Sequence, residues 1–418
     1  MPAHDSPRPL PERPDLRHLK DQARDLHRSG ETATLAAAQL RIARQYGFLS
    51  WPRLKEHVES LQVTGRLREA IDRNDLAAVR DMMTRSPALH RAPLGYGEDG
   101  PLTWVAECRV PAEPPSRARL EMARWMIEHG SDVHQGGDGP LMRAALSDAR
   151  IPMMELLVAH GADVNALWHG SYPILCAPCE TLAAGALRWL LDHGADPHLA
   201  SPEYGTPLSM VLATYGRNPE GRGACLEAFA ERGLALPDTP PMALHRRRLD
   251  LLEKHLRRDA GMLQRTWTEA EIYPPELGVK PGDGLCATPT AGGTLLHLAI
   301  EYDDLETAEW LVRHGADVNA RAALDENGFG GHTPLFHAVV NLGRRDDAKA
   351  RFLLERGADP HARSSVHGQL RDMGDPEKER MHEFRDVTPL GYAALFQEPA
   401  WAGPAALNAV REYGGRTP

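Results

Sequence analysis

One six-residue phrase recurs along the chain and constrains its fold more than any other feature. It reads His129-Gly-Ser-Asp-Val-His134, His160-Gly-Ala-Asp-Val-Asn165, His193-Gly-Ala-Asp-Pro-His198, His314-Gly-Ala-Asp-Val-Asn319 and Arg356-Gly-Ala-Asp-Pro-His361. Its glycines are spaced by 31, 33, 121 and 42 residues, and each copy closes an apolar run such as Trp310-Leu-Val312 or Phe352-Leu-Leu354. A second phrase opens the same segments: Gly139-Pro-Leu141, Thr206-Pro-Leu208, Thr294-Leu-Leu296, Thr333-Pro-Leu335 and Thr388-Pro-Leu390. Self-similarity at this period means repeated supersecondary units, none able to bury its apolar face without neighbours.

The physics of one unit follows from its residues. Threonine caps a helix N-terminus, and proline fits the first turn, where its missing N–H costs nothing. A first helix such as Leu295–Glu301 is too short to stand alone. Asp303-Asp304 turns the chain, and a second helix runs from about Leu305 to His314 with apolar residues on one face. Gly315 stands where a left-handed C-terminal cap is needed. Asp317 and Asn319 suit a polar hairpin loop leading to the next unit.

These phrases resemble the ankyrin repeat, whose hallmark is T-P-L-H near the start and G-A-D-V-N at the end. The resemblance implies an all-α solenoid of about nine helix-pair units over residues 64–416, with degenerate units at Leu67–Leu89, Leu102–His134, Thr206–Leu234 and Met242–Leu263. It also implies a protein partner, bound on a concave face made by hairpin fingers and the ends of the first helices. Carried over residue by residue, those slots hold Asp138, Leu146, Ser147, Glu180, Glu301, Tyr302, His332, Val340, Asn341, Leu395 and Phe396. Tyr302 and Phe396 are aromatic, and interface centres favour aromatics. Cover by neighbouring inserted loops is the competing fate of both.

Three segments lengthen the connections: the Pro- and Gly-rich 269–293, and the loops 323–331 and 363–386. Insertions on one face of a solenoid often bind, yet loop entropy penalises a decorative insertion only weakly. The charged 363–386 reads as a mobile loop. The expected organisation is a disordered tail at 1–13, a helical head at 14–62, a first repeat block at 63–268, an inserted loop at 269–291 and a second block at 292–418.

The head departs from the repeat. Asp15 to Arg28 and Ala33 to Tyr46 have helical apolar spacing, and Ser50 caps a third helix that begins Trp51-Pro52. The phrase Ile42-Ala-Arg-Gln-Tyr-Gly-Phe-Leu-Ser-Trp-Pro52 is similar to a helical head that precedes ankyrin arrays in bacterial proteins. Its expected role is a cap over the apolar edge of the first repeat.

Charge and composition narrow the function. A net charge of −10 opposes general attraction to nucleic acid or anionic membrane. No stretch approaches 18 apolar residues, and Met1 to Pro14 lacks the apolar core of a secretory signal, so a cytoplasmic protein is expected. Five cysteines in 418 residues make no disulfide framework.

Chemistry is hard to find. Cys176-Ala-Pro-Cys179 has no second ligand pair at zinc spacing, and the repeat register points Cys176 into the core and Cys179 outward. The helix-ending histidines suit a helix dipole, and His297 occupies the T-P-L-H slot. The chain holds no phosphate-loop, zinc-protease or nucleophile-elbow motif. His245-Arg-Arg-Arg248 with Lys254, Arg257 and Arg258 reads as one basic helix, its charges interleaved with Asp250, Glu253 and Asp259. The expectation is therefore a monomeric, non-enzymatic binding scaffold without cofactor or metal. The rivals are an enzyme built from the inserted loops around Glu271, Asp283 and His297, and a self-associating array.

Overall fold

The computed structural model describes residues 8–11, 14–94, 97, 99–107, 114–214, 218–280, 286–340, 346–369, 381–395 and 402–414. Asn341, Phe396 and Asp283 lie outside the described residues. The chain forms two compact units, Met1–Ala144 with Pro152–Ala162, and Ala145–Ile151 with Asp163–Pro418.

The first unit opens with α1 (Leu16–Arg28), α2 (Leu35–Gln45) and α3 (Trp51–Asp72), capped by the side chains of Asp15, Thr34 and Ser50. Leu19, Ala23, Ile42, Leu54 and Val58 form the core of this head. Residues 8–11, within the stretch expected to be a loose tail, lie against it: the Arg8 N–H donates to Gln45 O at 2.8 Å and Leu10 packs on the core. No helix break separates the head from the helices that follow it. Within α3, Leu54 and Val58 face the head, while Leu67, Ala70 and Ile71 are buried beyond it. The unit continues through α4 (Leu76–Arg85), α5 (Pro101–Glu107), α6 (Arg117–Glu128), α7 (Gly139–Ala145) and α8 (Ile151–Ala159), the last two crossing its boundary by one residue each.

The second unit stacks helix pairs: α9 (Cys176–Thr181) with α10 (Ala184–Asp192), α11 (Pro207–Ala213) with α12 (Pro219–Glu231), and α13 (Pro240–His245) with α14 (Leu249–Arg258). After a short α15 (Glu269–Ile272) come α16 (Leu295–Glu301) with α17 (Leu305–Arg313), α18 (Pro334–Val339) with α19 (Ala348–Leu354), and α20 (Pro389–Leu395) with α21 (Pro404–Glu412). Among first helices, α16 packs on α18 and α18 on α20. The insertion does not break the stack, because α13 packs directly on α16.

The recurring phrase does up to four jobs at a helix end, all four where it opens with histidine and closes with asparagine. The histidine ring reaches back to the carbonyl four residues earlier, as with Trp310 O at 2.7 Å from His314 Nδ1. The glycine takes a left-handed conformation, at φ 102° for Gly315, which a Cβ would penalise. The Asp317 carboxylate accepts the Asn319 N–H at 2.8 Å. Asn319 then does more than shape a loop, because its carboxamide donates to Gly357 O at 2.9 Å and accepts the Asp359 N–H at 2.8 Å. Asn165 clips Gly194 and Asp196 in the same way, so asparagine appears where the next unit must be held in register.

Two small antiparallel sheets qualify the expected all-α fold. β1 (Leu167–Trp168) pairs with β2 (Tyr172–Pro173) as a finger hairpin. β3 (Ser364–Gln369) pairs with β4 (Met381–Val387), running from Ser364 opposite Val387 to Gln369 opposite Met381 with an irregularity at 364–366. The two described ends of the segment read as a mobile loop are thus paired strands, because Val366 and Phe384 turn inward and are buried among its charged residues; residues 370–380 lie outside the described residues. It also grips the neighbouring inserted finger. Gly330 pairs with Ser365, Phe329 stacks on His367 at 4.0 Å, and the Arg385 guanidinium lies 4.4 Å from the Phe329 ring centre.

Candidate functional site

The first-helix ends of the second unit are where the predicted partner contacts gather, and the protein's own insertion covers several of them. Residues 286–290, Cys-Ala-Thr-Pro-Thr, run as a strap against Glu301 at the end of α16, His332 just ahead of α18 and Tyr392 within α20. Ala287, Thr288 and Thr290 are buried. Glu301 closes α16 and accepts the Ala287 N–H at 2.7 Å. The Tyr392 hydroxyl on α20 lies 3.2 Å from Thr288 Oγ1 and 3.4 Å from Ala287 O. His332 donates from Nε2 to Pro289 O at 3.2 Å. At the strap's far end, Trp267 and Gly292–Gly293 exchange two main-chain bonds of 2.8 and 2.9 Å.

Beneath the strap lies a buried polar network. His337 Nδ1 stands 2.7 Å from the second Glu301 oxygen, and Lys349 Nζ lies 3.1 Å from Ile300 O and 3.3 Å from Asp303. Burial pushes the Glu301 carboxyl up to about 7 despite the opposing pull of Lys349 and of the strap amides. The same burial lowers the Lys349 ammonium and carries the His337 and His297 imidazoles down to about 3, so both rings are neutral at pH 7. For His297 the network sets the tautomer: Nδ1 accepts the Thr294 N–H at 3.0 Å and Nε2–H donates to His332 O at 2.9 Å. Tyr302 is sandwiched in the same layer, its hydroxyl 2.6 Å from that of Tyr273 and its ring 4.2 Å from the Arg222 guanidinium. Arg222 is 2% exposed and bonds Thr214 O at 2.6 Å through Nη2; its Nε and Nη1 have no hydrogen-bond partner among the described residues.

The placement of the expected contacts divides sharply. Glu301, Tyr302, His332 and Val340 are buried, so their side chains face the protein's interior rather than a partner. The physical reasons are the strap against Glu301 and His332, Tyr273 and Arg222 against Tyr302, and Ala402, which bridges to Val340. Asp138 is buried as well and belongs to the first unit, where it lies 3.1 Å from His134 Nδ1. Leu146 and Ser147 are half-buried, while Glu180 and Leu395 are exposed.

Of the residues proposed for an enzyme, Asp283 lies outside the described residues, and Glu271 and His297 are each engaged in structural contacts. The Glu271 carboxylate accepts the Thr268 N–H in a capping box and pairs with Arg265. Those contacts hold it below the usual carboxylate range. His297 is fully buried by the bonds above. Cys176 and Cys179 are both buried, against the expectation of one outward thiol, because α11 packs over α9. Burial raises the Cys176 thiol to about 12 and Cys179 well above its ordinary value. Among the described residues, no three His, Cys, Asp or Glu converge as metal ligands, and no helix is long and apolar enough to cross a membrane.

Nor is the arginine-rich run one helix. α13 ends at His245, and the three arginines occupy the turn. Arg246 and Arg248 pair with Glu227 at 2.6 and 3.1 Å, Arg247 with Glu306 at 2.7 Å and Asp304 at 3.2 Å, and Arg258 with Asp238 at 3.3 Å. Their charge ties helix pairs together, and a phosphate would have to displace a carboxylate.

An accessible aromatic patch went unrecognised in the sequence. Tyr172 on the β1–β2 finger meets Trp168 edge-on at 6.0 Å and Tyr204 at 5.0 Å, the latter on the next finger, where Ser201 bridges Gly205. Tyr204 is 36% exposed, Trp168 is half-buried, and the Tyr172 hydroxyl donates to the exposed Glu180 at 3.1 Å. The signal was present in the sequence: aromatic residues at the tips of two consecutive fingers, one repeat apart. Leu324, 67% exposed, stands on the 323–331 finger. In the first unit, a shallow cleft of about 420 Å³ between α1 and α2 is lined by polar side chains such as Gln22, Asp25 and Glu31.

Residues 277–364 match the family model for ankyrin repeats (3 copies). The chain carries ankyrin repeats across that span, which includes the strap and α16 to α19. No curated protein matches the chain.

Proposed function

We propose that this chain is a non-catalytic scaffold that binds a protein partner through the finger tips and exposed first-helix ends of its second unit. Ankyrin repeats generally act in protein–protein interaction, and that gives the class of activity. In this reading the helix pairs form one array of about nine units behind the helical head, and the protein works as a cytoplasmic monomer without cofactor.

The observation that carries the reading is the aromatic pair of fingers. Trp168 and Tyr204 present rigid rings packed on buried Tyr172, beside the carboxylates of Glu180 and Glu203, with Leu146 and Ser147 as further accessible slots. Tyrosine and tryptophan give large contact area at low entropic cost and dominate interface energetics. Leu395 and Leu324 would extend the contact toward the later repeats. Buried Glu301, Tyr302, His332 and Val340 would support this face from beneath.

The test is affinity capture from lysate with the wild type and a Trp168→Ala/Tyr204→Ala variant, followed by titration of the purified partner. Loss of affinity by at least about tenfold, or 1.4 kcal/mol, supports the finger face. Equal affinity for both proteins removes it.

A further inference from the structure

The strap is held in an unusual way: its seat reads mainly main chain. Glu301 accepts the N–H groups of Ala287 and Thr288, Tyr392 reaches Ala287 O, and His332 reaches Pro289 O. Two threonine hydroxyls add side-chain bonds, Thr288 on Tyr392 and Thr290 on Tyr273 at 3.4 Å. Such contacts depend on backbone course and small side chains, so another segment of the same kind satisfies them equally. Meanwhile the groove floor is in place without the strap, because α13 packs on α16, α16 on α18 and α18 on α20. Two residues beyond the strap, Gly292 adopts φ 78° and is anchored by main-chain bonds, its N–H donating to Trp267 O and its carbonyl accepting the Ala323 N–H, each at 2.8 Å.

We propose that the seat formed by Glu301, His332 and Tyr392 is a binding site for a short protein segment of Ala-Thr-Pro-Thr character, and that residues 286–290 are its resident, exchangeable occupant. The strap thereby acts as an internal competitor, and a partner segment gains access as the strap releases. This site adds to the finger patch and rests on the reading of the chain as a protein-binding scaffold. Glu301 is the principal anchor, since a buried carboxylate facing two N–H donors makes stronger bonds than any neutral pair in the groove.

Two measurements decide it without any cellular partner. In the wild-type protein, hydrogen exchange compares the amides of Ala287 and Thr288 with that of Leu298 in α16. Exchange of the strap amides at least about 100-fold faster means that the strap opens while α16 stays folded; equal rates make the strap part of the core and overturn the proposal. The second measurement uses a fluorescein-labelled peptide copying residues 285–293 with Cys286→Ser. It is titrated against wild type and a full-length variant in which residues 281–291 are replaced by Gly and Ser. The variant is expected to bind at least about tenfold more tightly than wild type, and Glu301→Ala in the variant background to reverse the gain. A variant that melts cooperatively yet binds no peptide overturns the proposal; if the variant does not fold, the exchange comparison decides. Failure here leaves the finger patch intact, because that reading is tested by partner affinity through Trp168 and Tyr204.

Discussion

The hydroxyls of Tyr273 and Tyr302 stand 2.6 Å apart in the buried layer under the strap, joining the inserted segment to the end of α16. The two are not equivalent. Tyr273 has a second contact with Thr290 at 3.4 Å, whereas the Tyr302 hydroxyl depends on Tyr273. Tyr273→Phe therefore leaves a buried hydroxyl unsatisfied and is expected to lower stability by about 2 kcal/mol, against about 1 kcal/mol for Tyr302→Phe. Urea unfolding of the two single variants and the double variant checks this. Equal losses, or additive losses in the double variant, contradict the pairing.

The asparagine clips make a second expectation. Asn319→Ala removes one bond to Gly357 and one from Asp359, both at the surface, and should reduce stability by about 1–2 kcal/mol. Asn319→Asp keeps the acceptor and loses the donor, so an intermediate loss is expected. Thermal melts rank the three proteins, and an aspartate variant as stable as wild type would mean that the donor contributes nothing.

Acid should unfold this protein steeply. His245, His297 and His337 are held near 3 by burial, and burial also lowers His332 well below its ordinary value. The unfolded chain binds protons at about 6.5, so the stability of the neutral imidazoles is complete above that pH and is lost as pH falls from 6.5 toward 3. At pH 5 the loss is about 2 kcal/mol for each ring held near 3. Glu301 acts oppositely. Its raised carboxyl stabilises the fold most below 4.5 and loses that contribution as pH rises through 7. Melting temperature measured from pH 4 to 9 should peak near neutrality, and a flat profile between pH 5 and 7 contradicts the assignment.

Gly330 is irreplaceable on geometric grounds. It has φ 114°, and a Cβ there would sit 2.0 Å from Ala323 O, a backbone atom that cannot swing away. Gly330→Ala is expected to cost roughly 2 kcal/mol or more and to loosen the finger from β3. Hydrogen exchange at the Gly330 amide, which donates to Ser365 O at 2.8 Å, should accelerate in the variant.

The parts legible in the sequence are those whose causes are local. Helix ends at His314 and Gly315 follow from contacts within five residues, so the repeated phrase was enough to place them. The continuous α3 was harder, because its apolar positions switch faces between Val58 and Leu67 and resemble two helices in the sequence. The hairpin at 364–387 was hidden because Val366 and Phe384 are sparse among charges and gain their partners only in pairing. The course of the strap was hidden for the opposite reason, although cover by inserted loops was the competing expectation for Tyr302. Glu301 and Tyr302 occupy slots that face solvent in a regular repeat, and their partners Ala287 and Tyr273 lie 14 and 29 residues earlier in the chain, beyond the reach of local patterning. The Trp168, Tyr172 and Tyr204 patch was missed because the transferred slots sit at helix ends, not finger tips.

An array of alike repeats has translational symmetry and offers a ligand several equivalent seats, so binding can slip by one unit. The strap over α16, α18 and α20 and the β3–β4 hairpin beside them each occur once among the described residues. They give the second unit an address: one frame in which acidic, aromatic and threonine-bearing positions coincide. A ligand that reads this surface is thereby confined to one register and a single copy per chain.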